Sequence, residues 1–251
     1  MYYANVIRVL WLRQLKRYVR SKPRMFAALG QPLLFLFALG FGFGPIYQKA
    51  GGGNYVSFLA PGIIAMTVLT TSMFAGIEVI WDRQFGFLKE TLVAPVPRWV
   101  IMLGRTLGGA TVATAQGIVV GLLAMLPGFR PQSIALVPVA IGFMFLQAVL
   151  FTAFGTAIAS RMQDMQAFPL IMNFLVMPMF FLSGALFPLS GLPRTISIVA
   201  SLNPMSYAVD ALRGVLVNGS HFGLGTDFFA LGIGAVVILA FGSWMFSGIE
   251  V

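Results

Sequence analysis

Very few side chains in this 251-residue sequence are equipped for catalysis. It has no cysteine, which excludes disulfides, thiol nucleophiles and cysteine-ligated metals. One histidine, His221, cannot form a histidine metal cluster within the chain, and it reads as a solvated loop residue. Neither G-x-x-x-x-G-K-[ST] nor H-E-x-x-H occurs, so no ATP site of the phosphate-loop kind is expected. Two features remain. A charged stretch at 81–98, WDRQFGFLKETLVAPVPR, interrupts two long apolar runs. Glu78 and Arg105 flank that stretch, and both fall inside the apolar runs.

Composition says what must position these residues. The chain is 59% hydrophobic and only 9% charged, with mean hydropathy +0.91, whereas soluble domains carry about 25% charged residues. It reads as an all-α integral membrane protein with room for about six spans of ~20 residues. The expected spans are 25–44, 55–80, 99–126, 133–160, 167–183 and 227–246, all within a transmembrane domain at 25–251. Gly109, Ala113, Gly117 and Gly121 make a small-residue stripe that suits close helix packing in lipid.

The first 24 residues hold seven of the sixteen Lys/Arg and no acid. Read as a helix, 1–24 places Ile7, Leu10, Trp11, Leu15 and Tyr18 on one face and most cations opposite. That is the pattern of an amphipathic helix lying on anionic lipid; the apolar face argues against a nucleic-acid arm. With the N-terminus on the cytoplasmic side, twelve cations fall inside and four outside. The positive-inside rule therefore places both termini and 81–98 in the cytoplasm.

Within 81–98, residues 84–93 fit about three helical turns with Phe85, Leu88 and Leu92 on one face. Pro95 and Pro97 then stop the helix. Periodicity leaves two readings open, a docking helix for another protein and a solvated connector. Glu78 and Arg105 lie near the same end of neighbouring spans and are expected to pair. Gln147 and Asn173 are the deep polar amides; each suits an interhelical hydrogen bond or the lining of a substrate path.

Residues 184–225 are irregular yet apolar. Gly184, Pro188, Gly191, Pro193 and Pro204 rule out a continuous helix, while Phe187, Leu189, Leu192, Ile196, Ile198, Val199 and Leu202 need cover. The expectation is a re-entrant outer segment at 184–213, with a short helix near 194–201 and a return at Asn203-Pro204. Gly184, Phe187, Pro188, Asn203 and Pro204 would form an outer gate, Arg194 would snorkel, and Asp210 would pair with Arg213.

The run at 58–109 resembles the membrane subunit of a type-2 ABC exporter, in the branch linked to daunorubicin resistance and nodulation-factor export. The most specific part is D-R-x-F-G-F-L-K-E-x-L-V-A-P at 82–95. A-L-F-P-L at 185–189 and L-N-P-M-S-Y-A-V-D-A-L-R at 202–213 are also similar to that family. The resemblance implies a permease of a bacterial or archaeal cytoplasmic membrane, paired with a second permease copy and served by separate ABC ATPase subunits. ATP and magnesium would sit in that partner. It further implies that Gln84, Phe85, Gly86, Phe87, Leu88, Lys89, Glu90, Thr91 and Leu92 form the ATPase-docking coupling helix. The cargo would be lipophilic: a drug, a lipid-linked molecule or a glycan-type molecule. Two other classes compete. A lipid-modifying membrane enzyme would need a catalytic cluster that the scarce His, Asp and Glu do not supply. An ion-coupled carrier would want intramembrane charges or a repeated half.

Overall fold

A computed structural model describes residues 2–49, 53–87, 91, 95–189 and 193–247. Every regular element among them is helical. In chain order they are α1 (Tyr2–Arg20), α2 (Lys22–Lys49), α3 (Tyr55–Phe74), α4 (Ile77–Gln84), α5 (Arg98–Ala124), α6 (Val137–Arg161), α7 (Ala167–Phe181), α8 (Arg194–Leu202), α9 (Pro204–Val217) and α10 (Leu224–Ser247). A 3-10 turn at Ile134–Leu136 leads into α6.

Among the described residues, five helical stretches are long and apolar enough to cross a membrane: Met25–Lys49, Tyr55–Gln84, Arg98–Ala124, Ile134–Arg161 and Leu224–Ser247. The sixth expected span is the shorter α7. Its 15 residues make about 22 Å of helix, less than the ~30 Å hydrocarbon core of a bilayer.

Several boundaries differ from expectation. The N-terminal helix stops at Arg20, and Lys22 begins α2. Pro23 sets that break, because it cannot continue α1 but is at home in a first helical turn. At the other end α2 passes Pro45, where a loop was expected, and continues to Lys49. Tyr47 secures this last turn, its ring 5.0 Å from Tyr55 and 5.8 Å from Phe58. Residues 204–217, read as irregular, are α9. Asn203 caps it by accepting from the Met205 amide at 3.0 Å, and Pro204 occupies the first helical position.

α3 is the centre of the bundle. Leu59, Ile63, Ala65, Met66, Leu69 and Met73 are all fully enclosed. The helix breaks at Ala75 and Gly76, and the chain resumes as α4. At this break it crosses α6 backbone to backbone: a Cβ on Gly76 would overlap the Gly155 carbonyl, and one on Gly155 would overlap that of Met73. The glycine stripe of α5 also packs closely, here against side chains. Gly109 faces Thr152 and Ala75, and Gly117 faces Val68 and Met144. These close approaches fix how α4 leaves the bundle, and so where the charged stretch begins.

Candidate functional site

At one end of the bundle α1 lies along α5. Leu10, Gln14 and Tyr18 are its buried residues. Polar bonds reinforce the contact: Trp11 Nε1 donates to Thr111 Oγ1 at 3.0 Å, and the Tyr18 hydroxyl donates to Gln116 Oε1. The apolar face expected of this helix therefore includes a glutamine, and part of that face is covered by protein.

Arg13 and Arg17, one turn apart on α1, reach the acids of α4. Asp82 Oδ1 accepts from Arg13 Nη2 at 2.7 Å and from Arg17 Nη2 at 3.3 Å. Asp82 Oδ2 accepts from Arg105 Nη2 at 2.6 Å. Arg17 Nη1 also reaches Glu78 Oε2 at 3.3 Å. Asp82 is 2% exposed and Arg105 3%. Charged groups so enclosed hold their charge only with close partners, and here each has one.

The expected pair is thus redistributed. Glu78 and Arg105 belong to one cluster, but Arg105 bonds to Asp82, and Arg17 is a partner of Glu78. The reason is helical phase: Asp82 stands one turn beyond Glu78 on the same face of α4, closer to where α5 enters. Sequence reading placed Asp82 in the loop and the α1 cations in lipid headgroups. The available signal was two i, i+4 pairs of opposite sign, Arg13/Arg17 and Glu78/Asp82.

The next residues tie α4 to a third helix. Arg83 donates to the carbonyls of Ser160 and Met162 at 2.6 and 2.9 Å, closing the C-terminus of α6. Gln84 Nε2 reaches the Gln163 carbonyl at 3.3 Å. Beyond this anchored root the chain turns at Gly86, whose φ of +79° favours glycine. Phe85 is then 71% exposed and Phe87 49% exposed, with the Arg13 guanidinium 5.4 Å from the Phe87 ring. Phe87 and Thr91 have helical backbone, and Thr91 Oγ1 donates to the Phe87 carbonyl at 2.9 Å. Leu88, Lys89, Glu90 and Leu92 lie outside the described residues.

The two amides part company. Gln147 is fully buried and donates to the Ala65 carbonyl at 2.8 Å, an interhelical bond between α6 and α3. Asn173 is exposed on α7, beside exposed Phe174.

At the opposite end, the 184–204 segment is stitched to its surroundings. The Tyr55 hydroxyl donates to the Leu186 carbonyl at 3.1 Å, and Asn203 Nδ2 to the Met179 carbonyl at 2.7 Å. Gly184 has φ +75°, and its carbonyl accepts from Arg213 at 3.0 Å. Phe187 and Pro188 are exposed. Cover for the apolar residues is only partial: on α8, Ala200 alone is buried, while Ile198, Val199 and Leu202 are open within one chain. The expected Asp210–Arg213 pair does not form. Arg213 turns to backbone carbonyls and the Phe58 ring, and Asp210 accepts from Ser220 Oγ and the amides of His221 and Phe222. The 218–223 loop folds back over α9 and supplies Asp210 with three donors, two of them backbone amides.

Comparison with known proteins fits this architecture. Residues 5–217 match the family described as ABC-2 type transporter. The chain is 28% identical to Nodulation protein J of Rhizobium leguminosarum bv. trifolii, over 82% of this chain and 81% of that protein. It is 28% identical to ycf38 of Cyanophora paradoxa, whose name describes a transport permease, over 93% of this chain and 84% of the relative. The ycf38 protein of Pyropia yezoensis is 31% identical over 82% and 72%. With a family match across most of its length and all-helical membrane-length segments around a tied charged stretch, the chain belongs to the ABC-2 type transporter family.

Proposed function

We propose that this chain is the membrane-spanning permease subunit of an ATP-driven exporter, moving a lipophilic molecule across a bacterial or archaeal cytoplasmic membrane. The observation that carries this reading is the exposed aromatic pair Phe85 and Phe87, held out from a root fixed by buried ion pairs. Apolar side chains presented beyond a membrane-length helix call for a protein partner. A separate ABC ATPase, holding ATP and magnesium, is that partner, and 84–92 is the segment it grips. Force on this segment reaches α1 and α5 through Asp82 and α6 through Arg83, so docking and the bundle move as one.

The remaining elements fit the same scheme. α7 serves as the sixth span with the bilayer thinned or the chain tilted around it. α1 lies at the cytoplasmic surface, with its exposed cations toward lipid. Both termini are cytoplasmic. A second copy of the chain completes the pathway, with Asn173 toward it and the 184–204 segment closing its outer end.

The test is co-purification. A tagged chain, extracted in mild detergent, should bring down its ATPase. Leu88→Asp would place a carboxylate in an apolar groove at a cost of about 2 kcal/mol or more, weakening docking at least ~30-fold. Normal co-purification and normal export by a folded Leu88→Asp protein would refute the assignment.

A further inference from the structure

Arg213 is a buried cation with no carboxylate in direct contact. It is 8% exposed, and no carboxylate lies within ion-pair distance of it among the described residues. Its Nη2 bonds only to carbonyl oxygens, those of Gly184 at 3.0 Å and of Ala185 and Phe58 at 3.4 Å. The guanidinium lies 4.0 Å from the centre of the Phe58 ring. Nε has no partner and is shut in. Nη1 also makes no hydrogen bond, but it is not closed off, and Arg213 borders a pocket of about 320 Å³.

The rest of that pocket is mixed: Phe58, Pro188, Leu189 and Val209 give it an apolar side, and serines, Asp210 and His221 a polar one. Ser206 lines it with an unpartnered hydroxyl. Ser183 Oγ is spent on the Phe180 carbonyl. Asp210 lines it too, but Ser220 Oγ and the amides of His221 and Phe222 converge on its carboxylate at 3.0, 2.7 and 2.7 Å. Asp227 lies near Asp210 on α10 and does not border the pocket. One carboxylate is therefore answered by three donors, while the guanidinium beside it bonds only to carbonyl oxygens, rests on the Phe58 ring and feels Asp210 from beyond ion-pair distance. A cation held in this way retains a demand for negative charge that the protein, with Asp210 at a distance and already bonded to three donors, meets only in part.

We propose that this pocket is an oxyanion site, in which Arg213 holds a phosphate-type group through its open Nη1 edge. A pocket of this volume admits a phosphate together with part of whatever carries it. The group comes either from a free anion or from the phosphodiester of a lipid. The site lies in one subunit and does not depend on the ATPase assignment.

The experiment uses the full chain purified in a non-ionic, phosphate-free detergent, with thermal unfolding followed at constant ionic strength. Inorganic phosphate is titrated against chloride, and phosphatidylglycerol is added separately. Wild type should show a saturable rise in unfolding midpoint with one or both probes. A response to phosphate identifies a free anion; a response to the lipid alone identifies a headgroup. Arg213→Gln should abolish it. Should that variant fail to fold, Gly219→Leu serves instead: Gly219 is exposed, and a Cβ there would lie 3.3 Å from Arg213 Cγ, crowding the pocket from its rim. No response of wild type to either probe, or an equal response in wild type and Gly219→Leu, overturns the proposal.

Discussion

Arg105 Nη2 stands 2.6 Å from Asp82 Oδ2, joining α5 to the last turn of α4 with both side chains closed to solvent. The two partners are not equivalent. Removing Asp82 leaves Arg105 buried with no bonded acid, whereas removing Arg105 leaves Asp82 with Arg13 and Arg17. Asp82→Asn should therefore cost about 3–5 kcal/mol, and Arg105→Gln distinctly less. The double variant should be more stable than Asp82→Asn alone. Unfolding midpoints in detergent measure all three; equal losses with simple additivity would contradict the cluster as described.

Glycine positions give a graded prediction. Gly155→Ala and Gly76→Ala each drive a methyl into backbone at the α3–α4 break, where nothing can rotate away. Each should cost several kcal/mol, beyond the ~1–3 typical of an overpacked core. Gly121→Ala meets Ile64 Cδ1 at 3.4 Å, ordinary contact, and Gly142→Ala meets open space. Both should be neutral or slightly stabilising, since alanine favours helix by up to ~1 kcal/mol. The yield of monodisperse protein should rank Gly142→Ala and Gly121→Ala well above the other two.

How much of this was legible depended on whether the signal was local. The Asn203-Pro204 helix start rests on adjacent residues, yet the Gly and Pro on either side of it mask the helix it announces. The α5 stripe was legible because its i+4 spacing is a one-helix property. Long-range partners were not. Nothing in the spacing says that Asp82 outcompetes Glu78 for Arg105, because the answer depends on the Gly76–Gly155 crossing that sets the phase of α4. Asp210 and Arg213 are close in sequence, but loop 218–223 and the Phe58 ring claim them separately. The exposure of α8 residues also has no sequence signal, since apolar side chains look the same whether their cover comes from one chain or two.

Topology can be read directly, because a chain without cysteines accepts single ones cleanly. Lys49, Gln84 and Ser220 are all exposed. Lys49 and Ser220 belong to the end that carries α8 and α9, and Gln84 to the end that carries α1. With the cation asymmetry setting orientation, an impermeant thiol reagent should reach Lys49→Cys and Ser220→Cys in intact cells, and Gln84→Cys only after permeabilisation. Labelling of Gln84→Cys in intact cells would invert the orientation and remove the basis for a cytoplasmic docking partner.

Asn203 ties α9 to α7 through one side-chain amide. Its Oδ1 accepts from the Met205 amide and caps α9, while its Nδ2 donates to the Met179 carbonyl near the end of α7. Aspartate keeps the first function and loses the second. Asn203→Asp should hold the cap and cost about 1–2 kcal/mol for an unpaired, partly buried carbonyl at Met179. Asn203→Ala loses both and should cost about 1 kcal/mol more. If the segment around α8 closes the outer end of a pathway, loosening its tie to α7 changes closure before it changes folding. Asn203→Asp at growth temperature should then remain folded but leak, raising basal ATPase activity in the assembled transporter without added cargo. Basal activity equal to wild type, with α9 intact by hydrogen exchange, would assign the Asn203–Met179 bond to stability alone.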